Sequence, residues 1–206
     1  GQFIAGYFFG LDLLNDPNSN GGEVFYGLVP DPGVPLCFAK DKVQRRLGGT
    51  FIHEFQHMIS YNRHALLSGG EAEETWLNEG LSHFAEELGG RLVPDAFCPT
   101  TNCLTQYVRD DLSNARDYFN SPESYALVES GTSSGTLPER GANWLFVRWL
   151  ADQSPTDSVL GTDITRRLNG ADSPGGLTIT GGQNAAAAAV LFQPGVSFAT
   201  LVSQWH

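Results

Sequence analysis

The stretch that decides the fold is His53-Glu54-Phe55-Gln56-His57, which lies inside a helical hydrophobic pattern that starts near residue 41. On a helix, residues i and i+4 lie one turn apart on the same side, so the two imidazoles can converge on one ion. Glu54 lies about 100° around the helix from His53 and therefore flanks the metal-binding face. A hydrolytic zinc site needs two neutral nitrogens for the metal and a carboxylate that takes a proton from water. The stretch therefore predicts His53 and His57 as zinc ligands and Glu54 as a general base.

A third protein ligand must come from elsewhere in the chain. A short metzincin-type extension needs Gly at position 60 and His at position 63, whereas the chain has Ser60 and Arg63. Downstream, Glu79 stands in the sequence TWLNEGLSH, residues 75–83. If this second helix packs antiparallel to the first, Glu79 comes back towards the two histidines. We therefore predict Glu79 as the third ligand; the alternative is a solvated polar helix face.

The hydrophobic pattern predicts an α+β fold. Residues 3–14 and 24–29 are rich in apolar and aromatic residues and predict short strands, with a polar loop between them. The first helix is expected to run to about residue 64, and the second to follow a capping box at 68–71 and end at residues 89–90. Further helices are expected at 105–112, 121–128, 141–152, 185–192 and 197–205. The sequence thus predicts a small N-terminal antiparallel β-sheet subdomain with the HExxH helix (1–67) and a mainly α-helical subdomain (68–206).

The sequence HEFQH, followed on the next predicted helix by NEGLS, resembles the gluzincin zinc metallopeptidases. It is most similar to the hyicolysin-type neutral zinc metallopeptidases, in which a TWLNEG helix, a buried helix like 141–152 and a late helix recur in this order. The resemblance covers about residues 43–205, strongly at 51–59 and 75–87. It implies a thermolysin-like catalytic architecture and a single zincin catalytic domain over 1–206. It also implies a metal site of His53, His57 and Glu79, with Glu54 as general base.

The chain departs from this resemblance at His83. Thermolysin-like enzymes have an aspartate after Asn-Glu-x-x-Ser that orients a zinc histidine, and this chain has a histidine there. A ligating imidazole normally donates its other N–H to a partner, so a replacement is needed. His83 could accept through its neutral nitrogen, or Glu86 or a backbone carbonyl could serve instead. We place His83 beside the ligands or in the substrate cleft, with a surface position as the alternative.

No group that would stabilise the transition state stands at a recognisable spacing. Arg140, which directly precedes the buried helix, and Tyr125 are the first candidates. Tyr118 and His64 are the other candidates, and surface positions are the alternative for all of them.

A weaker pattern concerns calcium. Three oxygen-bearing residues alternate as in the first half of an EF-hand loop: Asp16, Asn18 and Asn20. The twelfth position of such a loop is Gly27 and not the bidentate glutamate, which excludes a true EF-hand. A calcium loop of another kind, completed by Asp12 or Glu23, stays open beside an ordinary polar turn.

Composition restricts the partners and the compartment. The chain has 206 residues and a formal net charge of −11, with no basic stripe, so we expect no nucleic-acid partner. No apolar run approaches the ~18 residues of a membrane span. The low lysine content with 24 Gly and 11 Pro favours a secreted or extracytoplasmic protein. The first residues lack the basic segment of a signal peptide, so we expect a mature or excised chain.

The three cysteines are compatible with that compartment without deciding it. Cys98 and Cys103 flank a short turn-forming stretch that could close a disulfide ring, and reduced thiols are an equal alternative. Cys37 has no evident partner.

These patterns together predict a zinc endopeptidase that hydrolyses proteins or peptides through a metal-activated water, with Zn²⁺ as cofactor and Ca²⁺ as an open candidate. One alternative is a gluzincin-like domain without activity that serves as a binding or adhesion module. Another is an exopeptidase or a zinc hydrolase of a different bond. The sequence shows no paired glutamates that would anchor a free amine, which favours internal cleavage.

Overall fold

The computed structural model describes residues 4–33, 39–98, 100–128, 135–170 and 196–206. The chain divides into two units, one of Gly1–Met58 with Ala85–Asp110 and one of Ile59–Phe84 with Asp111–His206. Two long helices, α1 (Lys40–Tyr61) and α2 (Thr75–Leu92), each contribute residues to both units. None of the helices in the described ranges combines the length and the hydropathy needed to cross a bilayer.

The first unit begins with a two-stranded antiparallel sheet of β1 (Gly6–Phe8) and β2 (Phe25–Gly27). Tyr7 lies opposite Tyr26, and the two rings stack with their centroids 4.5 Å apart. A small sheet followed by mostly helical structure confirms the predicted α+β layout. Each strand has three residues and is therefore shorter than the sequence pattern predicted.

The hairpin packs against α1 through two phenylalanines of that helix, Phe51 and Phe55. A Cβ on Gly27 would lie 3.4 Å from Phe51, and Phe25 meets Phe55 edge to face at 6.1 Å. Phe51 and Phe55 nevertheless stay 42% and 49% exposed, because a three-residue strand covers only part of each ring.

The C-terminal turns of α2 pack closely within the first unit. A Cβ on Gly90 would lie 2.8 Å from the backbone of Leu104 in α3 (Cys103–Tyr107), and one on Gly89 would overlap the Ile52 side chain. The two glycines therefore allow a close approach and do not end the helix, which continues to Leu92. The prediction of a helix end at residues 89–90 is wrong for this reason.

A disulfide joins Cys98 to Cys103, the first residue of α3, with the Cα atoms 5.2 Å apart. It follows a 3₁₀ turn, Asp95–Phe97, and the Asn102 side chain caps α3 by accepting from the Thr105 N–H. This outcome favours the disulfide over the reduced alternative. Cys37 lies outside the described residues.

The second unit is helical in its described part. It contains most of α4 (Arg109–Asn120), α5 (Leu137–Asp152), α6 (Thr162–Leu168) and α7 (Phe198–Trp205). The helix predicted at 121–128 is wrong, because only the 3₁₀ turn Pro122–Ser124 forms there. The helix predicted at 105–112 is interrupted at Val108, between α3 and α4. Residues 185–192 lie outside the described residues, and α7 confirms the last predicted helix.

Helix α5 begins four residues before the predicted start. Thr136 accepts from the Glu139 N–H, and the Glu139 carboxylate accepts from the Thr136 N–H at 2.7 Å, so the two residues form a capping box. Glu139 is thereby fixed at the first turn. The helix carries the aromatic core of this unit, in which Phe146 contacts Trp76 and Trp205 at centroid distances of 5.8 and 5.5 Å.

The start of α2 is fixed by a buried pair between the two long helices. Helix α1 ends in a π-helical turn, Asn62–Leu67, that carries His64. His64 Nε2 lies 3.1 Å from Glu73 Oε1, and neither side chain is exposed to solvent. Glu73 lies in the non-helical stretch directly before α2, which starts at Thr75. The predicted capping box at 68–71 is therefore wrong.

Candidate metal centre

The two histidines of HExxH lie side by side on α1 in the first unit. The ring centroids of His53 and His57 are 4.7 Å apart, and the rings are nearly perpendicular. His53 is buried and His57 is half-buried. The helix thus presents two imidazoles at neighbouring positions, as the i, i+4 spacing predicted.

His53 is oriented by a carboxylate from α2. Its Nδ1 lies 2.8 Å from Glu86 Oε1, and both side chains are largely buried. A carboxylate at Nδ1 accepts a proton from that nitrogen and leaves Nε2 as the electron-pair donor. Of the three partners that the sequence left open for a zinc histidine, the geometry therefore favours Glu86 for His53.

Glu54 is 6% exposed and lies against strand β1. A Cβ on Gly6 would be 3.8 Å from Glu54 Cγ and only 2.7 Å from both Thr50 Cγ2 and the Tyr26 carbonyl oxygen. No side chain fits there, so the strand can approach the helix closely at this point. The carboxylate predicted as general base is therefore next to backbone and has limited access to solvent.

Glu79 lies in the second unit beside the predicted oxyanion donor Arg140. The Arg140 guanidinium is 3.1 Å from Glu79 Oε2, and both side chains are mostly buried. Gly80 allows α2 to approach α5 at this position, since a Cβ there would lie 2.8 Å from the Asn143 carbonyl oxygen. The glycine of the NEG sequence thus positions the helix turn that carries Glu79.

His83, one turn after Glu79, contacts a carboxylate that the sequence analysis missed. Its Nδ1 lies 2.7 Å from Asp111 Oδ1, and its Nε2 lies 3.8 Å from Glu79 Oε2. Asp111 is 1% exposed and shares the buried face of α4 with Ala115 and Tyr118. The sequence did contain this signal, because an aspartate at i stands on the same face as apolar residues at i+4 and i+7. The largely buried His83 side chain does not fit the alternative of a surface position.

The other candidate donors lie in different surroundings within the second unit. Tyr118 packs against Trp205 at 6.1 Å, and burial raises the pKa of its phenol. Tyr125 follows the turn Pro122–Ser124 and is half-buried, with its ring 6.4 Å from Tyr118. His64 is paired with Glu73 as described above.

The residues of the candidate calcium loop bond to groups of the chain itself. Asp16 Oδ1 accepts from the Asn18 N–H at 2.8 Å, and Asp12 Oδ1 accepts from the Asn20 N–H at 2.8 Å. Asp12 Oδ2 accepts from the Tyr26 hydroxyl at 2.6 Å. The hydrogen bond from Tyr26 and then that from Asn20 lower the pKa of Asp12. These contacts describe a stable polar turn, and calcium binding there stays a prediction.

The donor chemistry of these residues suits zinc. Imidazole nitrogen and carboxylate oxygen are ordinary zinc ligands, and the Glu86 contact fixes the tautomer that ligation by His53 requires. His53 and His57 belong to the first unit and Glu79 to the second.

Comparison with known proteins gives one distant similarity. The chain is 26% identical over 170 residues to the neutral metalloprotease ShpI of Staphylococcus hyicus, with 80% of this chain aligned. The aligned part is 34% of that protein, so the chain spans about a third of its length. No family model matches the chain. The similarity supports a relationship to metallopeptidases and distinguishes no subtype.

Proposed function

We propose that this chain is a zinc-dependent peptidase domain of the gluzincin type, with His53, His57 and Glu79 as the metal ligands. The observation that carries the proposal is the pair of adjacent imidazoles on α1, one of them oriented by Glu86. The similarity to a neutral metalloprotease supports the same reaction class. When bound, zinc supplies a Lewis acid that lowers the pKa of a water and polarises the substrate carbonyl.

Glu54 is the general base in this proposal. Its carboxylate takes the proton from the attacking water and then delivers it to the nitrogen of the leaving amine. The low exposure of Glu54 and the adjacent backbone of β1 favour this role, because they limit competing bulk water.

Arg140 and Tyr125 remain the proposed donors to the developing oxyanion. Arg140 is the stronger candidate, because it is a partly buried cation that contacts the proposed ligand Glu79. We further propose internal cleavage of protein or peptide substrates and a secreted or extracytoplasmic location. The disulfide between Cys98 and Cys103 is consistent with an oxidising compartment.

Zinc analysis combined with a peptide-cleavage assay tests this function. The purified chain is expected to carry one equivalent of zinc and to cleave a quenched fluorescent peptide. A chelator should abolish cleavage, and added Zn²⁺ should restore it. Bound zinc without any chelator-sensitive cleavage would favour the binding-module alternative. Mass spectrometry of the products separates internal cleavage from removal of terminal residues.

Replacing Glu86 with glutamine is expected to weaken zinc binding by about 10–100-fold, because the proton acceptor for His53 Nδ1 loses its charge. Competition with a chromophoric chelator measures the affinity. Glu71→Gln is the matched control, because Glu71 is exposed and lies outside the helices. Equal zinc affinity of the Glu86 variant and the control would show that Glu86 does not orient a ligand.

A further inference from the structure

His83 and Glu79 form a second i, i+4 pair of metal-competent side chains, on α2. The atoms His83 Nε2 and Glu79 Oε2 are 3.8 Å apart. Bonds of about 2.0–2.2 Å to a tetrahedral zinc ion place an imidazole nitrogen and a carboxylate oxygen about 3.3–3.6 Å apart, a few tenths of an ångström less than the distance here. A single metal ion can therefore contact both side chains without a change of helix geometry.

Asp111 orients His83 in the way that Glu86 orients His53. The Nδ1 atoms of the two histidines lie 2.7 and 2.8 Å from buried or largely buried carboxylates. Metal-ligating histidines usually have such a carboxylate partner at the second ring nitrogen. Because Asp111 contacts Nδ1, the nitrogen that faces Glu79 is Nε2.

Arg140 contacts the same oxygen of Glu79, at 3.1 Å. A carboxylate has two oxygens and several lone-pair directions, so Glu79 can accept from a guanidinium and bind a metal at the same time. The contact with Arg140 therefore leaves lone pairs of the Glu79 carboxylate for a metal ion.

We propose that His83 is a further ligand of the metal held by Glu79 and that Asp111 is its positioning residue. The inference rests on the proposed zinc site and extends its ligand set to His53, His57, Glu79 and His83. With four protein ligands, one water would make the zinc five-coordinate, a number that catalytic zinc sites reach in the transition state.

X-ray absorption at the zinc edge tests the inference on the whole chain loaded with one equivalent of Zn²⁺. The number of imidazole ligands fitted to the extended fine structure is expected to be three in the wild-type protein and two in His83→Gln. His206→Gln is the matched control, because His206 is an exposed histidine that follows the last helix. Two imidazoles in the wild-type protein would overturn the inference.

Zinc affinity gives a second measurement that does not depend on activity. His83→Gln is expected to weaken Zn²⁺ binding at least 100-fold, and Asp111→Asn about 10–100-fold. Thermal unfolding of the zinc-free variants checks that the fold persists. Unchanged affinity in a folded His83→Gln chain would overturn ligation by His83.

The outcomes separate this inference from the proposed function. A wild-type chain with zinc-dependent cleavage but two imidazoles would leave the peptidase in place and reject His83 as a ligand. A chain with three imidazoles but no cleavage would support His83 and reject the peptidase. A wild-type chain that binds no zinc would reject both.

Discussion

Glu54→Gln is expected to slow peptide hydrolysis by about 10²–10⁴-fold while the chain still binds one equivalent of zinc. Glutamine has nearly the same size and can accept a hydrogen bond, but it cannot take a proton from water at neutral pH. The residue is buried on α1 next to His53, and no proposed ligand changes in this variant. The rate on a quenched peptide and the zinc content of the same sample measure the two effects separately.

Glu123→Gln is the matched control for Glu54, because Glu123 is exposed in the turn Pro122–Ser124. It should keep wild-type activity and zinc content. Cleavage by Glu54→Gln at the rate of this control would remove Glu54 from the mechanism. Loss of zinc from Glu54→Gln would instead make it a residue that holds the metal.

The sequence predicted the parts of the structure that depend on neighbouring residues in the chain. The spacing of His53 and His57 places them on one helix face by geometry alone, and the structure has their rings 4.7 Å apart. The α+β layout followed from the change of hydrophobic period near residue 41, where α1 begins. These features require no knowledge of tertiary contacts.

The features that the sequence did not predict depend on contacts between distant segments. The spacing within α4 places Asp111 on the buried face of that helix, but it does not identify His83 on α2 as its partner. The glycines at positions 89 and 90 indicated a helix end, but their missing side chains serve the packing of α2 against Ile52 and Leu104. Glycine serves both close helix packing and helix termination, so the sequence alone could not distinguish the two.

His64→Ala is expected to lower the free energy of unfolding by about 2–5 kcal/mol, because it removes a fully buried side chain and a partner of the Glu73 carboxyl. Neither side chain is exposed, so the substitution leaves a cavity beside that carboxyl. Urea denaturation of the zinc-free chain measures the loss, with His206→Ala as the exposed histidine control. A loss equal to that of the control would show that the pair does not hold the segment before α2.

Comparing Glu73→Gln with the wild-type chain measures how the ionisation of Glu73 changes the free energy of unfolding with pH. Burial raises the pKa of Glu73 above its ordinary value of 4.5, and the hydrogen bond and charge of His64 oppose this rise without cancelling it. The folded chain therefore binds this proton more tightly than the unfolded chain does. Its stability must fall as the pH rises from the unfolded pKa through the folded pKa.

Glutamine does not ionise, so this part of the fall is absent from Glu73→Gln. The free energy of unfolding of the variant should therefore improve relative to wild type as the pH is raised from 4.5, and urea denaturation across pH 4–8 measures the difference. A difference that stays constant or moves the other way would show that Glu73 is ionised in the folded chain as readily as in the unfolded one.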